Sequence, residues 1–233
     1  MSRPPAKNGN PYRFLWWLGG GLVLLLAGVL AAVMLAPGPK PPPDPERTLL
    51  WLFDPANPDA EAVAMVVEES QSQQRMVVVP FRVPNDVRGQ YAERGADKAR
   101  DMLGARLERQ IHHHVFVPYS VLRSLVNGAR GLQAGGRTMD GDHAVSYVLE
   151  GGVQAPNRGA EVMLALAGAV SANGLEMSPS EGLKLARQVE TDMDLMMVPE
   201  ALSRWSQFGN PQVKLSAGDD LSVLKQHLLP DGK

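Results

Sequence analysis

Gln110-Ile111-His112-His113-His114-Val115-Phe116-Val117-Pro118-Tyr119-Ser120-Val121-Leu122-Arg123-Ser124-Leu125-Val126-Asn127-Gly128-Ala129-Arg130-Gly131-Leu132 changes character midway. Ile111 to Val117 is short and rich in β-branched and aromatic residues, which suits a strand. Tyr119 to Val126 reads as a helix. Pro118 fits its first turn, where a missing N–H costs nothing, and Gly128 and Gly131 close it. A strand running directly into a helix is the building unit of an α/β fold.

The same alternation extends outward in both directions. Upstream, Thr48 to Phe53 is an apolar run ended by Asp54-Pro55 and reads as a buried strand. Ala62 to Val67 reads as a second strand, with a polar turn at Glu68 to Gln74. Met76 to Val83 is the clearest strand, and Pro80 within it implies an edge position or a bulge, because proline cannot donate to the ladder. Ala99, Leu103 and Leu107 repeat at four-residue steps, predicting a helix over Ala96 to Gln110. Downstream, Asp140 can cap a helix running to Glu150, and Val162, Leu166 and Val170 mark the apolar stripe of the next. Ser178-Pro179-Ser180-Glu181 signals a helix start, as does Pro199-Glu200 ahead of Leu202, Trp205 and Phe208. Gln212 to Ser216 is expected to add a last strand. Residues 48–217 are therefore expected to form a three-layer αβα domain, with a C-terminal helix or tail at 218–233.

The amino-terminal fifth is of another kind. Phe14 to Leu35 holds 22 residues without a charge, enough for a helix of about 33 Å and hence for one bilayer span. Trp16 and Trp17 stand at its start, where aromatic rings favour the headgroup layer. Arg3, Lys7 and Arg13 precede it with no acid among them, so residues 1–13 are expected in the cytoplasm and everything beyond residue 36 outside. A cleaved signal peptide fits less well: the apolar run is long, and Met34 is too large for the upstream position of a cleavage site at Ala36. Residues 36–47, with Pro37, Pro39, Pro41, Pro42, Pro43 and Pro45, form a stiff extended spacer.

Composition narrows the chemistry. Of 233 residues 44% are hydrophobic and the net charge is −2, which excludes a disordered chain. Cysteine is absent, which excludes disulfides, thiolate catalysis and a lipoprotein anchor. Through Arg47 there are five basic and two acidic residues, and beyond it 18 and 23, so the outside part is near −5. That sign disfavours a grip on nucleic acid or anionic lipid.

No G-x-S-x-G elbow, phosphate-binding glycine loop or H-E-x-x-H element occurs. In the His112-His113-His114 run only His112 and His114 would share a strand face, and neither has a carboxylate or histidine partner at ligand spacing, so the run reads as a polar strand entrance. Asp140-Gly141-Asp142-His143 lacks the later glutamate of a calcium loop and reads as a helix cap. Met193, Met196 and Met197 read as core filler.

Five stretches nevertheless resemble one family. The 110–132 segment is similar to the strand and helix of the LytR-CpsA-Psr family that end in a Leu-Val-Asp-x-Leu-Gly-Gly type sequence. Met139-Asp140-Gly141-Asp142-His143-Ala144-Val145-Ser146-Tyr147-Val148 is similar to its Leu-x-Gly-x-x-Ala-Leu-x-Tyr-Val helix start. Asp86 to Gly95 resembles its Lys-Ile-Asn-x-Ala-Tyr-x-x-Gly-Gly approach to a long helix. Arg158 followed by Val162 to Val170 resembles its Arg-Gln-Gln helix, and Leu185 to Trp205 its closing helices. The resemblance implies a polyprenyl-pyrophosphate-binding fold whose members transfer lipid-linked glycopolymers to peptidoglycan. In such members arginines and a carboxylate-bound Mg2+ hold the pyrophosphate, and the lipid tail runs under the sheet.

The polar signature departs from that pattern. The family's Arg-Ser-Asp-Thr falls at Asp59-Ala60-Glu61-Ala62, and its Tyr-Val-Arg-x-Arg becomes Tyr147-Val148-Leu149-Glu150-Gly151. Its Ile-Pro-Arg-Asp-Thr aligns with Val79 to Val83 or with Val83 to Val87, and neither keeps an adjacent Arg and Asp. Arg158 stays in place, with Arg82, Arg88 and Arg94 nearby. Each lost charge-assisted contact to phosphate removes about 1.5–3 kcal/mol. The resemblance thus implies Arg158 and Arg82 as pyrophosphate-binding residues and Glu61 as the metal ligand. The expected function is cell-envelope assembly by a single-span membrane protein that binds a polyprenyl-phosphate lipid or a partner with weakened or absent catalysis. An active phosphotransferase, using Mg2+ and acting on cell-wall glycopolymer, is the alternative. Transcriptional attenuation, an older label of the family, sits poorly with the topology and the acidic outer part.

Overall fold

The computed structural model describes residues 44–54, 63–193, 212–214 and 220–230, and the apolar runs of its first half pair as strands. Glu46–Phe53 (β1), Val63–Ser70 (β2) and Arg75–Arg82 (β3) form an antiparallel meander in which Leu52 faces Val63 and Val63 faces Arg82. β2 continues through Ser70, so the turn begins at Gln71, three residues later than the polarity of Glu68 suggests. Arg47 on β1 is paired with Glu68 and removes that obstacle. Asn85–Arg94 (α1) and Ala96–Leu107 (α2) follow, then His113–Pro118 (β4) and Tyr119–Gly128 (α3).

β4 lies parallel to β1 on its free side, with His114 opposite Leu49 and Phe116 opposite Trp51. Pro118 is the last residue of β4 and the residue capping α3, so the chain passes from strand to helix without a loop. A hairpin, Leu132–Ala134 (β5) and Arg137–Met139 (β6), leads to Gly141–Leu149 (α4). Gly141 is a glycine for a steric reason: an added Cβ would lie 2.2 Å from the Arg123 carbonyl oxygen, and the Asn127 side chain accepts from its N–H at 2.7 Å. Asp140 caps α4 as expected, accepting from the His143 N–H at 2.9 Å. A short 3-10 turn, Gly152–Gln154, precedes Ala155–Asn173 (α5). Pro179–Ala186 (α6) begins with the expected capping box between Ser178 and Glu181. Glu190–Thr191 (β7), Gln212–Val213 (β8) and Leu221–His227 (α7) complete the described elements.

The six-stranded sheet has the order β7-β4-β1-β2-β3-β8 and is mixed. Among the described residues β8 pairs with β3 at Val77 and Val78, and Pro80, which has no N–H to donate, lies beyond that pairing. Alternation along the strands divides the core in two. Leu50, Leu52, Val63, Met65, Val78 and Val115 face α3, α4, α5 and α6. Leu49, Trp51, Ala64, Val66, Val79 and Phe116 face α1, α2 and α7. The result is helices on both faces of a central sheet. Ala99, Leu103 and Leu107 are buried on the second face, and Val162, Leu166 and Val170 on the first.

Leu224 of α7 is buried in the second layer, so the carboxy-terminal helix packs against the domain. α1 carries no apolar stripe that the sequence could reveal, because Val87 is its one buried residue. Among the described residues no helix is long and apolar enough to cross a membrane. The expected span at 14–35, Met196, Met197 and the helix expected after Pro199 lie outside the described residues.

Candidate functional site

One end of the sheet gathers the residues that the sequence singled out. Gly159, in the second turn of α5, sits so close to β2 that a Cβ there would lie 2.7 Å from Val63 Cγ1 and 3.6 Å from Leu52 Cδ1. This approach places α5 and Arg158 beside the end of β1, the start of β2 and the end of β3. Arg82, opposite Val63, ends β3, and its Nη2 donates to the Gly152 carbonyl at 2.9 Å. Arg158 Nη1 donates to the Tyr147 carbonyl at 3.0 Å, and its guanidinium lies over the Tyr147 ring at 4.6 Å. Arg82 therefore ties β3 to the α4–α5 connection, and Arg158 ties α5 back to α4. Glu61 lies outside the described residues.

Around them, the Tyr147 hydroxyl donates to Glu161 Oε2 at 2.9 Å, and Gly135 N–H donates to Glu161 Oε1. Burial and the Glu161 bond raise the Tyr147 hydroxyl above its ordinary pKa. Arg137 of β6, which no sequence pattern marked, lies within electrostatic reach of Tyr147. Where the family pattern has an arginine, Leu149 is 38% exposed, and Val153 in the following 3-10 turn is 77% exposed. Asp86, on α1 after the end of β3, is paired with Arg106 at 2.7 Å. Arg88 and Arg94 stand on α1, which packs on the opposite sheet face. Glu161 and Asp86 are thus engaged with protein partners, and Asp54, directly after β1, is a further described carboxylate at this end.

A second constellation, missed in the sequence, lies at the other end and on the other face. His114 of β4 is 3% exposed, and its Nδ1 has no hydrogen-bond partner. That atom lies 3.5 Å from Asp192 Oδ1 and 3.8 Å from Asp97 Oδ1. Asp192 is held against β4 by the His114 N–H at 2.9 Å and Thr191 by the His114 carbonyl at 2.8 Å. Arg100 on α2 pairs with Asp192 at 2.5 Å and Asp97 at 3.3 Å. His113 faces Asp192 at 3.7 Å and Glu46 at 3.2 Å, and these two carboxylates push its pKa up to about 9. Burial alone would raise the Asp192 carboxyl, but the imidazoles and the His114 N–H hold it at about 2. Burial lowers His114. Among the described residues Asp97, His114 and Asp192 form the one group of three whose ligand atoms converge within 4.8 Å.

Among the clefts lined by described residues are two on the helix layers. One of about 560 Å³ runs between Ser120, Asn127, Glu176 and Leu185, and one of about 490 Å³ lies along Arg100, Glu108 and His112. Neither borders β3.

The protein resembles several solved structures. The Lin1025 protein of Listeria innocua has a TM-score of 0.59 and 15% identity, over 75% of this chain and 82% of that one. A transcriptional regulator from Enterococcus faecalis gives 0.57 and 18%, over 73% and 75%. TagT of Bacillus subtilis, a LytR-CpsA-Psr protein, gives 0.56 and 13%, over 83% of this chain and 94% of that one. The chain has the LytR-CpsA-Psr fold. No protein-family model and no curated protein sequence matches it. At these identities the likeness is one of fold, and the sequence resemblance points to the same family. In this LytR-CpsA-Psr fold the positions of the expected pyrophosphate site, at Arg82, Tyr147 to Gly151 and Arg158, lie at one sheet end, and the histidine cluster lies apart from them.

Proposed function

We propose that the protein is a membrane-anchored, extracytoplasmic member of the cell-envelope machinery that binds a polyprenyl-phosphate lipid and has lost most or all of the transferase activity its fold relatives imply. The observation that carries this reading is the use made of the retained Arg158 and of Arg82, its candidate substitute. Arg82 and Arg158 donate to the backbone carbonyls of Gly152 and Tyr147. Stabilising a transferring phosphoryl group takes several charged donors already aimed at its oxygens. The exposed Leu149 and Val153 supply apolar surface at the same rim, which suits an isoprenoid chain better than a pyrophosphate. Solved relatives of the LytR-CpsA-Psr family support a glycopolymer-related role in the envelope.

The alternative is an active phosphotransferase attaching polyprenyl-pyrophosphate-linked glycopolymer to peptidoglycan. Arg82, Arg137 and Arg158, grouped around the α4–α5 connection and the β5–β6 hairpin, favour it. Extraction of lipid from the full-length protein purified in detergent, followed by mass spectrometry, tests the binding reading. A polyprenyl phosphate retained by the wild type and lost with Leu149→Asp plus Val153→Asp is expected. A lipid-free wild type that binds no added undecaprenyl phosphate overturns it in favour of a protein partner.

A further inference from the structure

We propose that Asp97, His114 and Asp192 form a binding site for one divalent transition-metal ion of the zinc class, on the sheet face opposite Arg158. The buried Nδ1 of His114 is unpartnered, and it points at two carboxylate oxygens. Protein interiors rarely leave such an atom unsatisfied, and a missing ion is one of the ordinary explanations. The spacings suit an ion. With metal–ligand bonds near 2.0–2.1 Å, the edges of a tetrahedral site are about 3.4 Å, and the observed separations are 3.5 and 3.8 Å. They are long for a hydrogen bond.

The surroundings are preorganised. Asp192 is fixed by the His114 N–H and so cannot swing away, while Asp97, with a side chain 67% exposed, leaves one side open to water. Three protein ligands and an open fourth position is a zinc-type arrangement. Glu46, Asp101 and Glu190 add negative charge around the ligands, against Arg100 and His113. Imidazole with carboxylates suits zinc, manganese or cobalt over magnesium or calcium, which prefer oxygen alone. Arg100 is the competitor: its Nη1 holds the Asp192 oxygen Oδ2 and approaches Asp97. An ion therefore displaces Arg100 from Asp97, and removing the arginine tightens the site. Since α2, β4 and the turn after β7 each give one ligand, the bound ion would staple the sheet edge to the helix layer.

The test is calorimetric titration of the chelator-treated full-length protein in detergent with zinc chloride, and visible absorption with cobalt(II) chloride. One zinc per chain is expected, with a cobalt spectrum of low coordination number. Asp97→Asn, at an exposed position that does not disturb packing, lowers affinity at least about tenfold. His114→Gln abolishes the cobalt spectrum, and Arg100→Gln strengthens binding. Zinc affinity unchanged in both Asp97→Asn and Asp192→Asn overturns the site, as does affinity that survives His114→Gln but is lost with His112→Gln or His143→Gln. Absence of any stoichiometric zinc binding by folded wild type overturns it as well.

Discussion

Arg47 and Glu68 are 0% and 1% exposed, facing each other across β1 and β2 at 2.8 Å. Each also reaches the carboxy-terminal segment: Arg47 Nη2 donates to the Leu229 carbonyl, and Glu68 accepts from the Leu229 N–H at 3.0 Å. Burial pushes the Glu68 carboxyl up despite these partners, so its charge depends on them. Arg47→Met leaves a buried carboxylate uncompensated and is expected to cost about 3–5 kcal/mol in urea denaturation, whereas Arg47→Met with Glu68→Leu costs much less than the single change. A second residue sets an acid limit. The His143 N–H and ring hold the Asp140 carboxyl below its ordinary value of 3.8. A carboxylate lowered on folding stabilises above its unfolded pKa, and this is lost as pH falls through the folded one. Asp140→Asn, which keeps the capping acceptor, should flatten the acid limb of a melting-temperature profile below about pH 4, and Asp140→Ala should lower the melting temperature at pH 7 by about 2–4 °C.

At the scale of elements, α5 is seated by a missing side chain. Gly159→Ala drives a methyl to 2.7 Å from Val63 Cγ1 and is expected to destabilise by about 1–3 kcal/mol, with Val63→Ala in the same chain recovering part of it, as paired denaturation curves would show. Elements were legible where burial leaves a local trace. β1, β3 and β4 are apolar on both faces because helices cover both, and the caps of α4 and α6 are local chemistry at Asp140 and Ser178. α1 was not legible as a helix, because Asp86, Arg88, Glu93 and Arg94 leave it without a stripe. Nor was the hairpin β5–β6, whose strands have three residues each. The histidine cluster was hidden for a different reason. The carboxylates that face His114 come from α2 and from a residue 78 positions away, and ligand spacing along the chain cannot show partners delivered by sheet pairing.

Across the whole molecule, the two sheet faces carry two different chemistries. The α3–α6 face ends at the arginines and the exposed Leu149, and the α1–α2–α7 face holds the histidine, the aspartates and the buried Arg47. The resemblance implied a site at Arg82 and Arg158, and the fold brings these residues to the two ends of the α4–α5 connection, at Gly152 and Tyr147. It could not show that both guanidiniums are turned to backbone carbonyls, because hydrogen-bond partners depend on how the α4–α5 connection folds back. A weakened site at intact fold stability should behave accordingly: Arg82→Ala and Arg158→Ala each lower the melting temperature by loosening that connection, by about 2–4 °C for a loss near 1 kcal/mol. The most direct test of the central claim is Mg2+-dependent glycan transfer from a polyprenyl-pyrophosphate-linked donor to peptidoglycan by the full-length protein. A rate indistinguishable from the protein-free reaction is predicted, and transfer that the wild type catalyses and Arg158→Ala abolishes would contradict it.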